Sequence, residues 1–534
     1  MRLLAAVIVA LVLALPGSAW AVPPHIAFLD LISGPATGNG DTSRGQTAKV
    51  NGTIVTLWGT NLGSSQGSST ITAGGVAPSA MYYWGNAAPP ACGPANLYNA
   101  YQKLQCVIFQ IARTTPSGAN NVVVTVGGQA SAPTTFTVRP GTILFAATSG
   151  GDFTSMQAGL NWIDANSASG GDILYVKSGL SATGGVSLPH AKTNQVSVVT
   201  YPGAEVQVGD STRDGFVLSF SGSGPRITYS KFKVYGGHTP ALSQGVTLDS
   251  GARAVGNLIQ APLGDGSSGC LGLRGNAVAV LGNEFTACGN PASPNDLYHV
   301  IYVYGYRDQA PQRIEADRWL QWNYLHDNSA ARGINVYNAE PNGNNPITGH
   351  RIDHNVIVAQ RLAGIALLGG TVGENWVTAN LLIHTGQGPG TAGNHVGIEI
   401  NSYWPAGYTP DRPTLLHLWG NTLVNSGLTG AASNGALYFN VPSLIEWRGN
   451  IIYQGNGYPY LSSTSRVPTS NPGGYSNNLW YGAGAAPSWD TNSVNADPLF
   501  VSPSTGDYRL QAGSPARRAG SALGADMDSA GAAR

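Results

Sequence analysis

Gly256-Asn257-Leu258-Ile259, Gly282-Asn283-Glu284-Phe285, Trp322-Asn323-Tyr324-Leu325 and His354-Asn355-Val356-Ile357 share one layout, an asparagine directly ahead of a short apolar strand. The layout returns at Ala379-Asn380-Leu381-Leu382, Gly420-Asn421-Thr422-Leu423, Gly449-Asn450-Ile451-Ile452 and Asn477-Asn478-Leu479-Trp480. The intervals run from roughly 25 to roughly 40 residues, the span of a solenoid repeat with loops of variable length. Upstream of most of these asparagines lies a strand of period two: Gly245-Val246-Thr247-Leu248, Val300-Ile301-Tyr302-Val303, Gly333-Ile334-Asn335-Val336, Gly364-Ile365-Ala366-Leu367, Gly397-Ile398-Glu399-Ile400 and Ala436-Leu437-Tyr438-Phe439. Alternation puts one face of each strand inside and the other outside. Stacked coils would place equivalent strands about 4.8 Å apart. Their Ile, Val and Leu side chains would be buried only because neighbours stack. Repeated Asn at one tight turn would bond along the stack as a polar ladder.

Composition agrees with an all-β chain. Of 534 residues only 10% are charged, and Lys plus Arg (27) equals Asp plus Glu (27). Such a neutral chain is not built to hold nucleic acid or an acidic membrane by bulk charge. With 42% hydrophobic residues, 23 Tyr and 12 Trp, it is not disordered. Residues 1–21 read as a signal peptide: Arg2, an apolar run from Leu3 to Leu15, then Pro16 and Ala19-Trp20-Ala21. The expected location is therefore secreted or periplasmic, without membrane insertion. Four cysteines allow three pairings. The local pairs Cys92 with Cys106 and Cys270 with Cys288 are preferred, since each lies inside one proposed domain. A zinc site would need closer Cys-x-x-Cys-type spacing.

Residues 22–139 read as short strands with turns, including Thr53-Ile54-Val55-Thr56-Leu57-Trp58, Asn121-Val122-Val123-Val124-Thr125-Val126 and Thr134-Thr135-Phe136-Thr137-Val138. The segment Val55-Thr56-Leu57-Trp58-Gly59-Thr60-Asn61-Leu62-Gly63, the later Asn121-to-Gly128 strand and the closing Phe136-Thr137-Val138 resemble the IPT/TIG family, an immunoglobulin-like β-sandwich. The resemblance implies a spacer or docking module, not catalysis. A long insert from Ala87 to Gln105, bracketed by Cys92 and Cys106, departs from the family pattern. Its Tyr98 and Tyr101 suit either loop packing or sugar stacking, with packing the stronger reading.

The repeat region resembles a right-handed, single-stranded parallel β-helix of the pectate-lyase-like superfamily. The likeness spans about residues 140 to 512. Gly151-Asp152-Phe153 through Trp162 and on to Gly171-Asp172-Ile173-Leu174-Tyr175-Val176 is similar to a capping helix and first strand. Asp497-Pro498-Leu499-Phe500 with Gly506-Asp507-Tyr508-Arg509-Leu510 is similar to a closing element. The expected division is a helix with its cap over 140–485 and a closing segment and tail over 486–534.

Putting the period-two strands in register creates outward columns. One holds Thr247, Tyr302, Asn335, Ala366, Glu399 and Tyr438. A second holds Asp249, Tyr304, Tyr337, Leu368, Asn401 and Asn440. A third, earlier in the coil, holds His299 and Arg332. This is the densest outward set of ionisable and aromatic groups in a chain poor in charge. It suits β-elimination on a uronic acid polymer, which needs a cation for the carboxylate, a base for the α-proton and an acid for the leaving oxygen. Arg332 fits the clamp, His299 or Tyr302 the base, and Tyr337 or Tyr304 the acid. Asn335, Glu399, Asn401 and Trp404 fit substrate binding, with Glu399 orienting His299 or holding a metal. Trp404 lies in a long inter-coil insert, where binding groups are common.

The superfamily resemblance implies a polysaccharide partner. The chain lacks the Asp-Asp pair and the His-Gly and Arg-x-Lys segments of polygalacturonases, and the dense Asp cluster that binds calcium in pectate lyases. No cofactor is firmly indicated, and calcium is left open. A monomeric polysaccharide lyase is the leading expectation. The alternatives are a glycoside hydrolase using Glu399 or Asp249, or a non-catalytic glycan-binding surface protein. His326 and His384, just after their asparagine turns, read as structural.

Overall fold

The computed structural model describes residues 22–519 except 183–185, 191, 211–214, 216–225, 237–244, 265, 267, 305–314, 339–346, 370–372, 389–392, 402–413, 429–430, 432, 441–443 and 468–473. The proposed signal peptide, the extreme tail and Trp404 therefore lie outside the described residues.

The chain is all-β, a sandwich of two small sheets followed by a parallel β-helix. Three parallel sheets of 12, 11 and 7 strands form the walls of the solenoid, with one strand of a full coil in each. A coil runs through Arg253–Val255, Leu258–Ala261 and Gly269–Leu273, and the next through Val278–Leu281, Glu284–Cys288 and His299–Tyr304. Apolar residues fall opposite one another along the 7-stranded sheet: Val246, Leu271, Ile301, Ile334, Ile365, Ile398 and Leu437. All are buried in one continuous core. Each such burial stabilises the fold by about 1.5–3 kcal/mol, but only while the neighbouring coil is in place. Helix Met156–Asn166 closes the first end, its N-terminus capped by the Ser155 side chain on the Ala158 N–H. Met156, Leu160 and Ile163 are its core-facing residues.

Between the 12- and 11-stranded sheets the chain turns on the repeated asparagines. Each donates its backbone N–H and its Nδ2 to the Oδ1 of the next: Asn355 reaches Asn380 at 3.0 and 2.9 Å. Nδ2 also donates inward to a strand carbonyl, as from Asn355 to Leu320 at 2.8 Å. The file runs through Asn257, Asn283, Asn323, Asn355, Asn380, Asn421, Asn450 and Asn478, all fully buried. The residue ahead of each has positive φ, which explains glycine at 256, 282, 420 and 449.

At the entry to the 7-stranded sheet the alternation slips. Val300 and Ile301 are consecutive, yet both are buried in the core. Gly333, Gly364 and Gly397 occupy the equivalent corner of later coils. A Cβ on Gly364 would lie 2.6 Å from Leu382 Cδ2, and one on Gly397 2.7 Å from Leu423 Cδ2. The slip matters for the outer face, because it turns the residue ahead of the corner outward.

The sandwich consists of one sheet built from His25–Leu29, Ile54–Thr60, Gln105–Gln110 and Ala80–Asn86, and a second from Ser33–Gly34, Thr134–Val138, Gly118–Val126 and Thr70–Ala73. Its core is continuous with the outer face of the 12-stranded sheet, where Ile143, Phe145, Ile173, Tyr175, Val199, Val255 and Leu281 are buried. Polar pins fix the contact. The Tyr175 hydroxyl accepts from Ile54 N at 2.7 Å and donates to Ile54 O at 2.8 Å. Arg253 donates to the carbonyls of Leu29 and Asp30, both at 2.9 Å. Lys231 pairs with Asp30 at 3.0 Å.

Both local disulfides form, Cys92–Cys106 and Cys270–Cys288. The insert tied by the first is a docking strap. Gln102 Nε2 donates to the Trp322 carbonyl at 2.7 Å, and Tyr101 lies between Tyr324 and Tyr508. Tyr101 is thus a packing residue. The closing strands Phe500–Ser502 and Asp507–Leu510 pair antiparallel and join the same apolar layer. No helix among the described residues is long and apolar enough to cross a membrane.

Candidate functional site on the seven-stranded sheet

The outward columns form as the pattern requires. Tyr302, Asn335, Ala366, Glu399 and Tyr438 stand opposite one another on successive strands, with Gly272 between Thr247 and Tyr302. Tyr304, Tyr337, Leu368, Asn401 and Asn440 form the second file. His299 and Arg332 stand on adjacent coils, the Val300 N–H bonding the Arg332 carbonyl at 2.9 Å. Simple alternation from Ile301 and Val303 would turn His299 inward. The corner slip instead brings its ring against outward Tyr302, edge to face at 5.3 Å between centroids.

The group is sunk beneath the surface: His299 is 4% exposed, Asn335 2% and Glu399 1%. Arg332 Nε donates to Glu399 Oε2 at 3.0 Å. Asn394 Nδ2 donates to the other oxygen, Oε1. Glu399 is therefore held by Arg332 and Asn394. Glu399 is thus the ion-pair partner of Arg332 among the described residues. Asn440 Nδ2 donates to Asn401 Oδ1 at 3.1 Å. Tyr337 and Tyr438 lie against a small apolar layer of Ala363, Ala366, Leu368 and Val396.

A residue outside the columns completes the group. Arg361 is 8% exposed, reaches Asp296 Oδ1 at 2.7 Å and lies close enough to act on His299 by charge. Burial, then the positive charges of Arg332 and Arg361, hold the His299 imidazole well below its ordinary pKa. The ring is neutral at neutral pH. Three of these buried groups carry an atom without a hydrogen-bond partner: His299 Nδ1, Asn335 Oδ1 and Arg361 Nε. Orphaned buried polar atoms are uncommon, and each costs about 1–3 kcal/mol in a closed core.

Arg361 was missed because it precedes Ala363, the residue in line with His299 and Arg332, by two positions. The run Gln360-Arg361-Leu362-Ala363 just ahead of Gly364 was the available signal. Asn394, at the start of the Asn394–Asn401 strand, was visible in the same way. His326 is held by Glu284 at 2.8 Å and Asp327 at 2.7 Å, a structural arrangement at the turn. Asp249 is five strand steps from Glu399 along the sheet, about 24 Å at the usual spacing. Among the described residues no three His, Cys, Asp or Glu side chains come together as a metal-ligand set.

No family model, curated protein or solved structure matches the chain.

Proposed function

We propose that the chain is a secreted carbohydrate-active enzyme of the pectate-lyase-like superfamily with an IPT/TIG-like N-terminal module, and that it cleaves a uronic acid polymer by β-elimination. One observation carries the reading: a neutral histidine with an unpartnered nitrogen lies within reach of two guanidinium charges in a buried polar group. Arg332 and Arg361 supply positive charge for the uronate carboxylate and for the negative charge that develops on it. Glu399 and Asn394 fix Arg332 in place. His299 Nδ1 takes the proton α to the carboxylate as the C–H bond breaks. The electron pair forms the ring double bond, the bond to the 4-linked oxygen breaks, and Tyr302 protonates that oxygen. The two disulfides suit the oxidising compartment that the N-terminal segment implies.

Hydrolysis is less well supported. It calls for two carboxyl groups roughly 5 to 10 Å apart. Glu399 and Asp249 are far beyond that distance, and Glu399 is already clamped. The test is incubation of the purified full chain with a panel of uronic polymers, following the ultraviolet absorbance of the unsaturated product. Absorbance should rise with at least one polymer, and His299→Ala should lower the rate by about 100-fold or more. A folded wild-type protein that gives no rise on any of them sinks the reading. New reducing ends without the chromophore would replace elimination by hydrolysis.

A further inference from the structure

On the outer face of the 12-stranded sheet, Arg253, Ala279, Trp319, Arg351, Trp376, His417 and Glu446 stand opposite one another on successive strands. From Arg351 onward the file is closed. The Arg351 guanidinium lies 4.4 Å from the Trp376 ring centre, Trp376 stacks on His417 at 5.3 Å, and His417 bonds Glu446 at 2.7 Å. Rings stacked in this way show only their edges to solvent.

The file opens at Ala279. Its methyl group is too short to cover its neighbour, and Arg253 is drawn off to the carbonyls of Leu29 and Asp30. Trp319 is half-buried: it packs in part against the apolar cluster that holds Phe28, Ala279 and Leu281, and among the described residues no ring stacks on it and no cation sits over it. The gap between Arg253 and Trp319 is two strand steps, about 9.6 Å, room for one pyranose ring and its hydroxyls. The sandwich roofs this gap with Ala27–Leu29 and Thr134–Thr135, making a cleft of about 820 Å³. Polar Gln195, Asn276 and Gln321 are also in its lining. Lys192, Arg226 and Arg253 are its charged lining residues, with no carboxylate among them. Lys192 is matched by Asp164 at 3.2 Å. Arg226 is exposed and makes one long bond, 3.3 Å, to the Thr193 carbonyl.

We infer that this cleft is a second carbohydrate site, distinct from the His299 group, which binds one acidic sugar of a polysaccharide chain with its apolar face on Trp319 and its carboxylate toward Arg226. A half-exposed indole in the lining, amide and hydroxyl groups beside it and one uncompensated cation are what such a sugar requires. The inference shares the substrate class with the proposed function but none of its residues. The sandwich then serves as half of a binding site, not merely as a spacer.

The experiment is calorimetric titration of full-length His299→Ala protein with acidic tetrasaccharides (galacturonate, mannuronate, guluronate and glucuronate-containing) and with cellotetraose as the neutral control. At least one acidic probe should bind better than cellotetraose. Trp319→Ala and Arg226→Glu should each weaken that binding about ten-fold, with Trp319→Phe recovering part of it. Arg226 is exposed, so its variant keeps the test valid if Trp319→Ala misfolds. Arg332→Ala should leave this binding unchanged even where it abolishes turnover, so failure of one site is read separately from failure of the other. Acidic binding insensitive to both Trp319 and Arg226, equal binding of cellotetraose, or no binding of any acidic probe overturns the inference.

Discussion

The asparagines from Asn257 to Asn478 and the outer groups around His299 are both files of buried polar side chains on one solenoid, set at different corners. In the first, each internal amide oxygen accepts from the preceding asparagine and each Nδ2 donates twice, to the next asparagine and to a strand carbonyl. In the second, Glu399 and Arg332 are paired, but His299 Nδ1, Asn335 Oδ1 and Arg361 Nε are not. The ladder is fully buried and the His299 group largely so, but their satisfaction differs. A fully satisfied polar file specifies coil register and has no valence left for a ligand. A partly satisfied one is unfavourable for folding and leaves donors or acceptors open. Satisfaction, more than residue type, distinguishes these two files.

The comparison breaks most visibly if the ladder can be cut cheaply. Asn355→Ala removes the acceptor of Asn323 N at 3.1 Å and of Asn323 Nδ2 at 2.9 Å, and the donor to the Leu320 carbonyl. These partners stay buried, so the loss in urea denaturation should be roughly 3 kcal/mol or more. Asn335→Ala, at a similar depth in the other file, removes an orphaned oxygen and should change stability by less than about 1 kcal/mol. Equal losses at the two positions would abolish the distinction.

The end of the ladder sharpens it. After Asn478 the file closes on a carboxyl group: Asp490 Oδ1 accepts from Asn478 Nδ2 at 3.1 Å, and Oδ2 accepts from Trp480 Nε1 at 2.5 Å. Burial pushes its pKa up to about 6, from an ordinary 3.8, against the opposing effect of those two bonds. Between these values the folded chain holds a proton that the unfolded chain releases. Its contribution is therefore greatest below the ordinary value and is lost as pH rises to the folded one. Asp41, Asp164 and Asp507, with lowered pKa values, act in the opposite sense. Comparing wild type with Asp490→Asn cancels them. The variant should gain on wild type by up to roughly 2 kcal/mol between about pH 4 and about pH 7. A pH-independent difference would show that Asp490 is not the buried acid that ends the ladder.

Both files were legible in the sequence to the extent that alternation governs them. The register Tyr302, Asn335, Ala366, Glu399, Tyr438 follows from the Gly-x-apolar pattern because that pattern is what the core selects. The coil through Gly269–Leu273 escaped, since Gly272 leaves its outward position blank. Burial of His299 was not legible, because depth depends on how coils and loops fold over a column. His299 was placed outward, but strict alternation would have turned it inward; the slip at Val300 and Ile301, which no local pattern announces, is what brings it out. Arg361 reaches the group from a connecting segment, off the column. The docking of the sandwich rests on pairs such as Tyr175 with Ile54, which no local pattern links.

The smallest effect concerns the charge balance of the incomplete file. If His299 is the base, the acid limb of the pH profile of kcat/KM must lie below the ordinary imidazole value of 6.5, because burial and then Arg332 and Arg361 disfavour the protonated ring. Replacing Arg361 by Gln keeps most of the side-chain volume and removes one of those charges. Protonation then becomes easier, and the limb should move to higher pH. Arg361→Lys retains the charge and should hold the limb near its wild-type position while lowering the rate. A limb that stays put in Arg361→Gln while the rate falls would make Arg361 a substrate ligand without influence on the base, and proton abstraction would have to be reassigned from His299 to Tyr302.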